Sequence, residues 1–197
     1  MPFSLPEDLA PELYPLAWLV GSWRGFGMLG YPNVPEQAFV QELTFDHDGG
    51  PYLRATSRMW LADAERSGPI AQEMTGTEGA DALVPGTLWV TETAYWRPVP
   101  GPGAVAQEDG EPGAPGSELE VVLADPAGHL TVYVGAVRGP RVDLASDAVV
   151  RTATAAEMTG ATRMYGLVQS DLLWAMDMAA FGEELQSYAS GRLSRSS

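Results

Sequence analysis

From Gln37 onward, apolar and polar positions of the chain alternate with a period of two. Phe39, Leu43 and Phe45 share one face of a segment running from Gln37 to Phe45. Successive strand side chains point to opposite sides, so this spacing predicts a strand with one buried face. Asp46-His47-Asp48-Gly49-Gly50-Pro51 is a turn cluster, and Tyr52 to Trp60 reads as the returning arm of a hairpin. Strand-like segments follow near 69–76, 87–96, 118–125, 129–138, 141–151, 161–169 and 171–180. The alternation is cleanest in Leu130, Val132, Val134 and Ala136, and again in Leu172, Trp174, Met176 and Met178.

Ahead of this region the period is helical. Leu13, Leu16, Ala17 and Val20 predict a short N-terminal helix able to plug one end of a barrel. Ala62 to Ser67 and Gly79 to Gly86 read as hairpin insertions beside a weak strand. Residues 98–117 form a Pro/Gly-rich, acidic loop insertion that cannot bury much apolar area. Near the C-terminus, Leu185, Tyr188, Ala189 and Arg192 have helix-like spacing, predicting a short helix or an irregular closing segment. Residues 1–10 and 194–197 read as flexible ends around a single domain, 11–193. Counting a strand through Gly21–Gly27, the pattern predicts an all-β chain of about ten strands at sandwich or barrel spacing, and closing such a meander into an antiparallel barrel removes its exposed edges. Such a barrel leaves room inside for a ligand.

Composition narrows the partners. A net charge of −15 repels phosphate backbones and anionic lipid, which excludes nucleic acid and membrane surfaces. With no cysteine, there is no disulfide, thiolate metal site or cysteine nucleophile, and a reducing compartment is in keeping. Met1 to Leu19 lacks a basic leader and carries Glu7, Asp8 and Glu12. No apolar run approaches the roughly 20 residues that span a bilayer. The expectation is a cytoplasmic protein.

Candidate chemistry is sparse. In Gly21-Ser22-Trp23-Arg24-Gly25-Phe26-Gly27, glycines alternate along a strand and leave bare backbone on either side of the Trp23 indole. That reads as a tight barrel corner with Trp23 packed across it, or as a close approach for a ligand. The only histidines are His47 and His129. They stand in no zinc-binding spacing, and no Gly-x-Ser-x-Gly elbow is present. His47, between Asp46 and Asp48, is an exposed turn residue or a group at a cavity mouth; His129 opens a strand and reads as structural. Asp46 with Asp48 and Glu183 with Glu184 read as solvated surface. Trp60, Trp89, Trp96, Trp174, Tyr95, Tyr133 and Tyr165, with Met164, Met176 and Met178, fill the core or line a pocket for a flat apolar ligand.

Four motifs, in order, resemble the nitrobindin family of calycin-like, fatty-acid-binding-protein-like β-barrels. Leu16 to Gly27 is similar to its Gly-x-Trp-x-Gly-x-Gly opening, and Phe45 to Leu53 to its hairpin. Glu92-Thr93-Ala94-Tyr95-Trp96-Arg97-Pro98 and Met178-Ala179-Ala180-Phe181-Gly182 are similar to two later strands. The likeness runs from about Leu16 to Leu193 and implies a ferric heme protein that binds nitric oxide and isomerises peroxynitrite to nitrate, with members that often pair as homodimers. It also implies a proximal histidine a short way beyond Met178-Ala179-Ala180. In register that position holds Tyr188, and a lysine position at the heme edge holds Ala156.

The expectation is therefore a nitrobindin-like barrel without its iron-ligating histidine, binding a small apolar ligand, with no cofactor and no metal, and not an enzyme. One alternative is a heme b protein with Tyr188 as phenolate ligand and peroxynitrite isomerase chemistry. Another is a protein-interaction module whose cavity is filled and vestigial.

Overall fold

The computed structural model describes residues 8–99 and 117–196. Most of the expected N-terminal tail and nearly all of the 98–117 insertion lie outside the described residues.

The chain opens with a 3-10 helix, Pro11–Leu19. In such a helix, side chains three apart eclipse, so Leu13, Leu16 and Leu19 point one way, and each is fully buried. Leu19, rather than Val20, ends the apolar stripe. Trp18 Nε1 donates to the Pro15 carbonyl at 2.9 Å.

Three strands follow: β1 (Gly21–Tyr31), β2 (Val34–Asp46) and β3 (Leu53–Ala62). After α1 (Gly76–Ala82) come β4 (Pro85–Pro98), β5 (Ser117–Ala124), β6 (His129–Arg138), β7 (Arg141–Arg151), β8 (Met158–Val168), β9 (Asp171–Ala180) and β10 (Gln186–Arg195). Every neighbouring pair is antiparallel. β10 returns to β1, with Trp23 opposite Arg195, Gly27 opposite Gly191 and Leu29 opposite Ala189. The sheet is thus a closed ten-stranded barrel without free edges.

The predicted number of strands holds, but one member was wrong and one was missed. Residues 69–76 are not a strand. Arg192 Nη1 binds the carbonyls of Gln72 and Met74 at 2.9 Å each, satisfying backbone that a ladder would otherwise pair. Ile70 and Met74 pack outside the barrel on Phe26, Val40, Ala80 and Leu83. The Gly79–Gly86 insertion is split between the end of α1, which stops at Ala82, and the start of β4 at Pro85; α1 begins with a reciprocal capping box between Thr75 and Glu78. A Cβ on Gly79 would stand 2.0 Å from the Phe26 ring, so glycine lets α1 lie flat on β1.

The closing segment is a strand rather than a helix or irregular chain. Its register against β9 shifts between Ser187 and Ala189, a β-bulge at Tyr188 that breaks the period of two. β10 also runs to Arg195, past the Leu193 boundary, and Ser194 and Arg195 pair with Arg24 and Trp23.

In a meander, alternate turns gather at opposite ends. The helix precedes β1, so it covers the end that holds the β2–β3, β6–β7 and β8–β9 turns. There Leu13, Leu16 and Leu19 join Leu53, Trp96, Leu119, Val137, Val142, Leu172 and Leu193 in one buried cluster. The other end stays open.

Candidate functional site

The open half of the barrel holds a cavity of about 310 Å³. That is at the small end of ligand pockets. Its wall is mostly apolar: Leu43, Phe45, Met59, Trp89, Trp96 and Trp174 contribute, with Met176 and Met178. Of the aromatic and methionine candidates, Tyr133 and Tyr165 also line it, whereas Tyr95 and Met164 face outward. The period of two separates Trp96, Tyr165, Trp174, Met176 and Met178 from Tyr95 and Met164, whereas Trp89 lies out of phase with Val90, Glu92, Ala94 and Trp96, where the register of β4 against β3 shifts.

Two polar groups are set into this wall. Arg163 on β8 grips Glu92 on β4 with both terminal nitrogens; Nη1 reaches Glu92 Oε2 at 2.9 Å and Nη2 bonds Oε1. Arg163 Nε approaches the Tyr133 hydroxyl at 3.3 Å and Nη1 the Tyr165 hydroxyl at 3.4 Å. The Arg163 side chain is only 7% exposed. Burial opposes its charge, but Glu92 and the two phenols outweigh that and hold the guanidinium protonated well above its ordinary range. The second group is a relay: Trp174 Nε1 donates to Gln41 Oε1 at 2.7 Å, and Gln41 Nε2 donates to Ser57 Oγ at 2.9 Å.

Tyr188 reaches the cavity from the β10 bulge. Its hydroxyl accepts a hydrogen bond from Trp89 Nε1 at 2.7 Å, and its ring meets Tyr31 edge-on at 6.2 Å. Burial raises the phenol above its ordinary pKa; the Trp89 N–H pulls the other way and does not cancel it. Tyr165 is raised by burial as well. For an acid whose folded pKa is raised, the stability it contributes is complete below its unfolded value and lost as pH climbs through the folded one. The urea midpoint should therefore fall as pH passes about 10. The fall should be smaller in Tyr188→Phe. An equal fall in both proteins would mean that the Tyr188 proton is not held by the fold.

The mouth lies between the β5–β6, β7–β8 and β9–β10 turns, where Asp125, His129, Ala156, Glu157 and Phe181 surround the opening. His47 is not among them. It sits in the β2–β3 turn at the end covered by the helix, in keeping with the turn alternative rather than the mouth alternative; the rim histidine is His129. Asp46 and Asp48 beside it bind Arg54 and Tyr52 at the surface, at 2.6 and 2.8 Å. His129 Nε2 donates to the Ala156 carbonyl at 2.9 Å, and Nδ1 lies 3.3 Å from Asp125 Oδ2. Ala156 thus belongs to the rim, through its backbone.

Gly21, Ser22, Trp23, Arg24, Gly25, Phe26 and Gly27 all lie on β1, away from the cavity wall. Trp23 is buried, donates through Nε1 to the Leu19 carbonyl at 2.7 Å, and carries the Arg195 guanidinium 4.3 Å above its ring. Arg24 pairs with Asp81 of α1 at 2.7 Å, and Ser22 faces outward near Thr44.

Arg163 and Gln41 carry no motif, and Glu92 enters only as the first residue of the Glu92–Pro98 motif. A signal existed: each is a polar residue at an inward position, between Ala161 and Tyr165, before Ala94 and Trp96, and between Phe39 and Leu43 respectively. Among the described residues, no three His, Asp or Glu side chains group closely enough to hold a metal ion. No described helix is long and apolar enough to cross a membrane.

Residues 12–195 match the family described as the THAP4-like, heme-binding beta-barrel domain. A ferric nitrobindin-like protein of Beutenbergia cavernae is 52% identical, with 99% of each chain covered. A peroxynitrite isomerase of Leifsonia xyli subsp. xyli is 42% identical, with 98% of each covered. Among solved structures, that of Rv2717c from M. tuberculosis superposes with a TM-score of 0.69 at 28% identity, covering 96% of this chain and all of that one.

Proposed function

This chain belongs to the nitrobindin family, the THAP4-like heme-binding β-barrels, and from that premise we propose that it binds a small apolar ligand in its cavity without ligating heme iron. The observation that carries the reading is the state of the cavity's two candidate donors. His129 uses one nitrogen to donate to Ala156 and turns the other to Asp125. Tyr188 stands at the position that the family resemblance assigns to the proximal histidine. Burial favours its neutral phenol, and its oxygen already accepts from Trp89. Ferric iron asks for a free imidazole nitrogen or a phenolate. These donors do not fit heme iron, and no chemical step is derived through it.

The apolar wall, with few polar groups, has the composition of a pocket for a small flat molecule. A vestigial interaction module would have a filled lumen, and the open volume weighs against that alternative. The same reading keeps the protein in the cytoplasm, on its lack of cysteine and of a long apolar run, and, without an iron ligand, outside isomerase chemistry.

A second reading is favoured by one observation. The Tyr188 phenol opens onto the cavity from the closing strand, and a 42% identical relative is named a peroxynitrite isomerase. In that reading Tyr188 holds ferric heme, and the activity is isomerisation of peroxynitrite to nitrate. Titration with hemin separates the two. The first predicts no saturable Soret shift in wild type or in Tyr188→Phe. A saturable shift that Tyr188→Phe abolishes would replace it with the second.

A further inference from the structure

The charges around the cavity are unbalanced. Its lining includes three carboxylates, Glu92, Asp125 and Glu157, against one permanent cation, Arg163. That cation is already committed. Glu92 takes both terminal nitrogens, and the Tyr133 and Tyr165 hydroxyls lie at two further N–H groups. These bonds use four of its five N–H groups, so an incoming carboxylate or sulfonate could grip the guanidinium through two N–H groups only by displacing Glu92 or a phenol, and displacing Glu92 would strand that carboxylate in an apolar wall. On its way in, the ligand would pass Asp125 and the exposed Glu157. The chain's net charge of −15 adds to the same repulsion, and a low-dielectric cleft focuses it. The faces of Trp89 and Tyr188 near the opening favour flat rings and tolerate a positive charge.

We propose that this cavity selects against negative charge: it takes a flat aromatic ligand that is uncharged or cationic, and turns away an anion of the same shape. The inference rests on the small-ligand reading above and specifies the ligand class for that site.

Two probes of matched shape test it. N-phenylnaphthylamine is neutral, and anilinonaphthalene sulfonate carries a sulfonate on the same aryl frame. Trp89, Trp96 and Trp174 line the cavity, so binding of either probe is read by tryptophan quenching and energy transfer. The neutral probe should bind saturably and the sulfonate at least about tenfold more weakly at low salt, with the gap narrowing as salt screens the carboxylates. Glu157→Lys changes only an exposed rim side chain, so folding is not at risk, and it should raise sulfonate affinity relative to that of the neutral probe. Glu92→Gln, where it folds, should shift the same ratio by releasing Arg163. Equal affinity for the two probes in wild type would overturn the charge selection and leave the small-ligand reading standing. Binding of neither probe would overturn both.

Discussion

Arg163→Met is expected to destabilise the protein by about 3–5 kcal/mol, a large part of the roughly 5–15 kcal/mol that holds a typical domain together. Methionine fills much of the same space, so a cavity is not the cause. The cost arises because Glu92 loses its only cation while 18% of its side chain, and no more, reaches solvent. The Tyr133 and Tyr165 hydroxyls lose a partner with it. Glu92→Gln should cost a comparable amount by leaving the guanidinium buried and unpaired. The double variant Glu92→Leu/Arg163→Met removes both charges and should recover most of the loss, because a buried pair is worth little against apolar side chains of similar volume. Urea unfolding of wild type, Glu92→Leu, Arg163→Met and the double variant closes the cycle and gives the coupling directly. Were Arg163→Met to cost less than about 1 kcal/mol, the pair would be behaving as a solvated one.

At the seam between β1 and β10 the second large effect is expected. A Cβ on Gly25 would stand 2.0 Å from the Arg192 carbonyl oxygen and 2.6 Å from the Leu193 Cα. Both are backbone atoms of the strand that closes the barrel, so they cannot yield without opening the ladder. Gly25→Ala should cost about 3 kcal/mol, and more if the strands part. Trp23→Ala should cost about 3–5 kcal/mol by emptying the closed end, where the indole also ties the 3-10 helix to β1. Ser22→Ala, on the outer side of the same strand, is the control and should be close to neutral. Thermal melts rank the three, and hydrogen exchange at β10 amides should show Gly25→Ala loosening that strand first. A Gly25→Ala protein with an unchanged melt would mean that the seam has slack, and that this glycine is present for another reason.

The two effects differ in how far the sequence announces them. The Gly21–Gly27 segment is local: its alternating glycines predict close backbone approach, and the structure adds only the identity of the approaching strand. The Arg163–Glu92 pair spans the lumen between β8 and β4. Nothing near either residue names its partner, although a charge at an inward strand position marks each as unusual. His47 shows the opposite limit, because its two readings could not be separated from sequence. Its neighbours describe a turn correctly, but a turn carries no information about which end of the barrel it occupies.

Alternation of apolar side chains therefore determined, by itself, an all-β chain of about ten antiparallel strands, because a period of two marks a strand; it did not always mark the buried side, since on β6 Leu130 and Val134 face outward while Thr131 and Tyr133 are buried. Four ordered motifs determined the family. Tertiary structure alone decided the rest. β10 became a strand because β1 and β9 both needed a hydrogen-bonding neighbour, and the bulge at Tyr188 hid that from the pattern. Residues 69–76 gave up strand pairing because Arg192 and the outer face of β1 and β2 offered their backbone and side chains better partners. The site itself arose last. Which inward side chains meet across a lumen depends on barrel closure and stagger, and these are properties of the whole sheet that no single strand encodes.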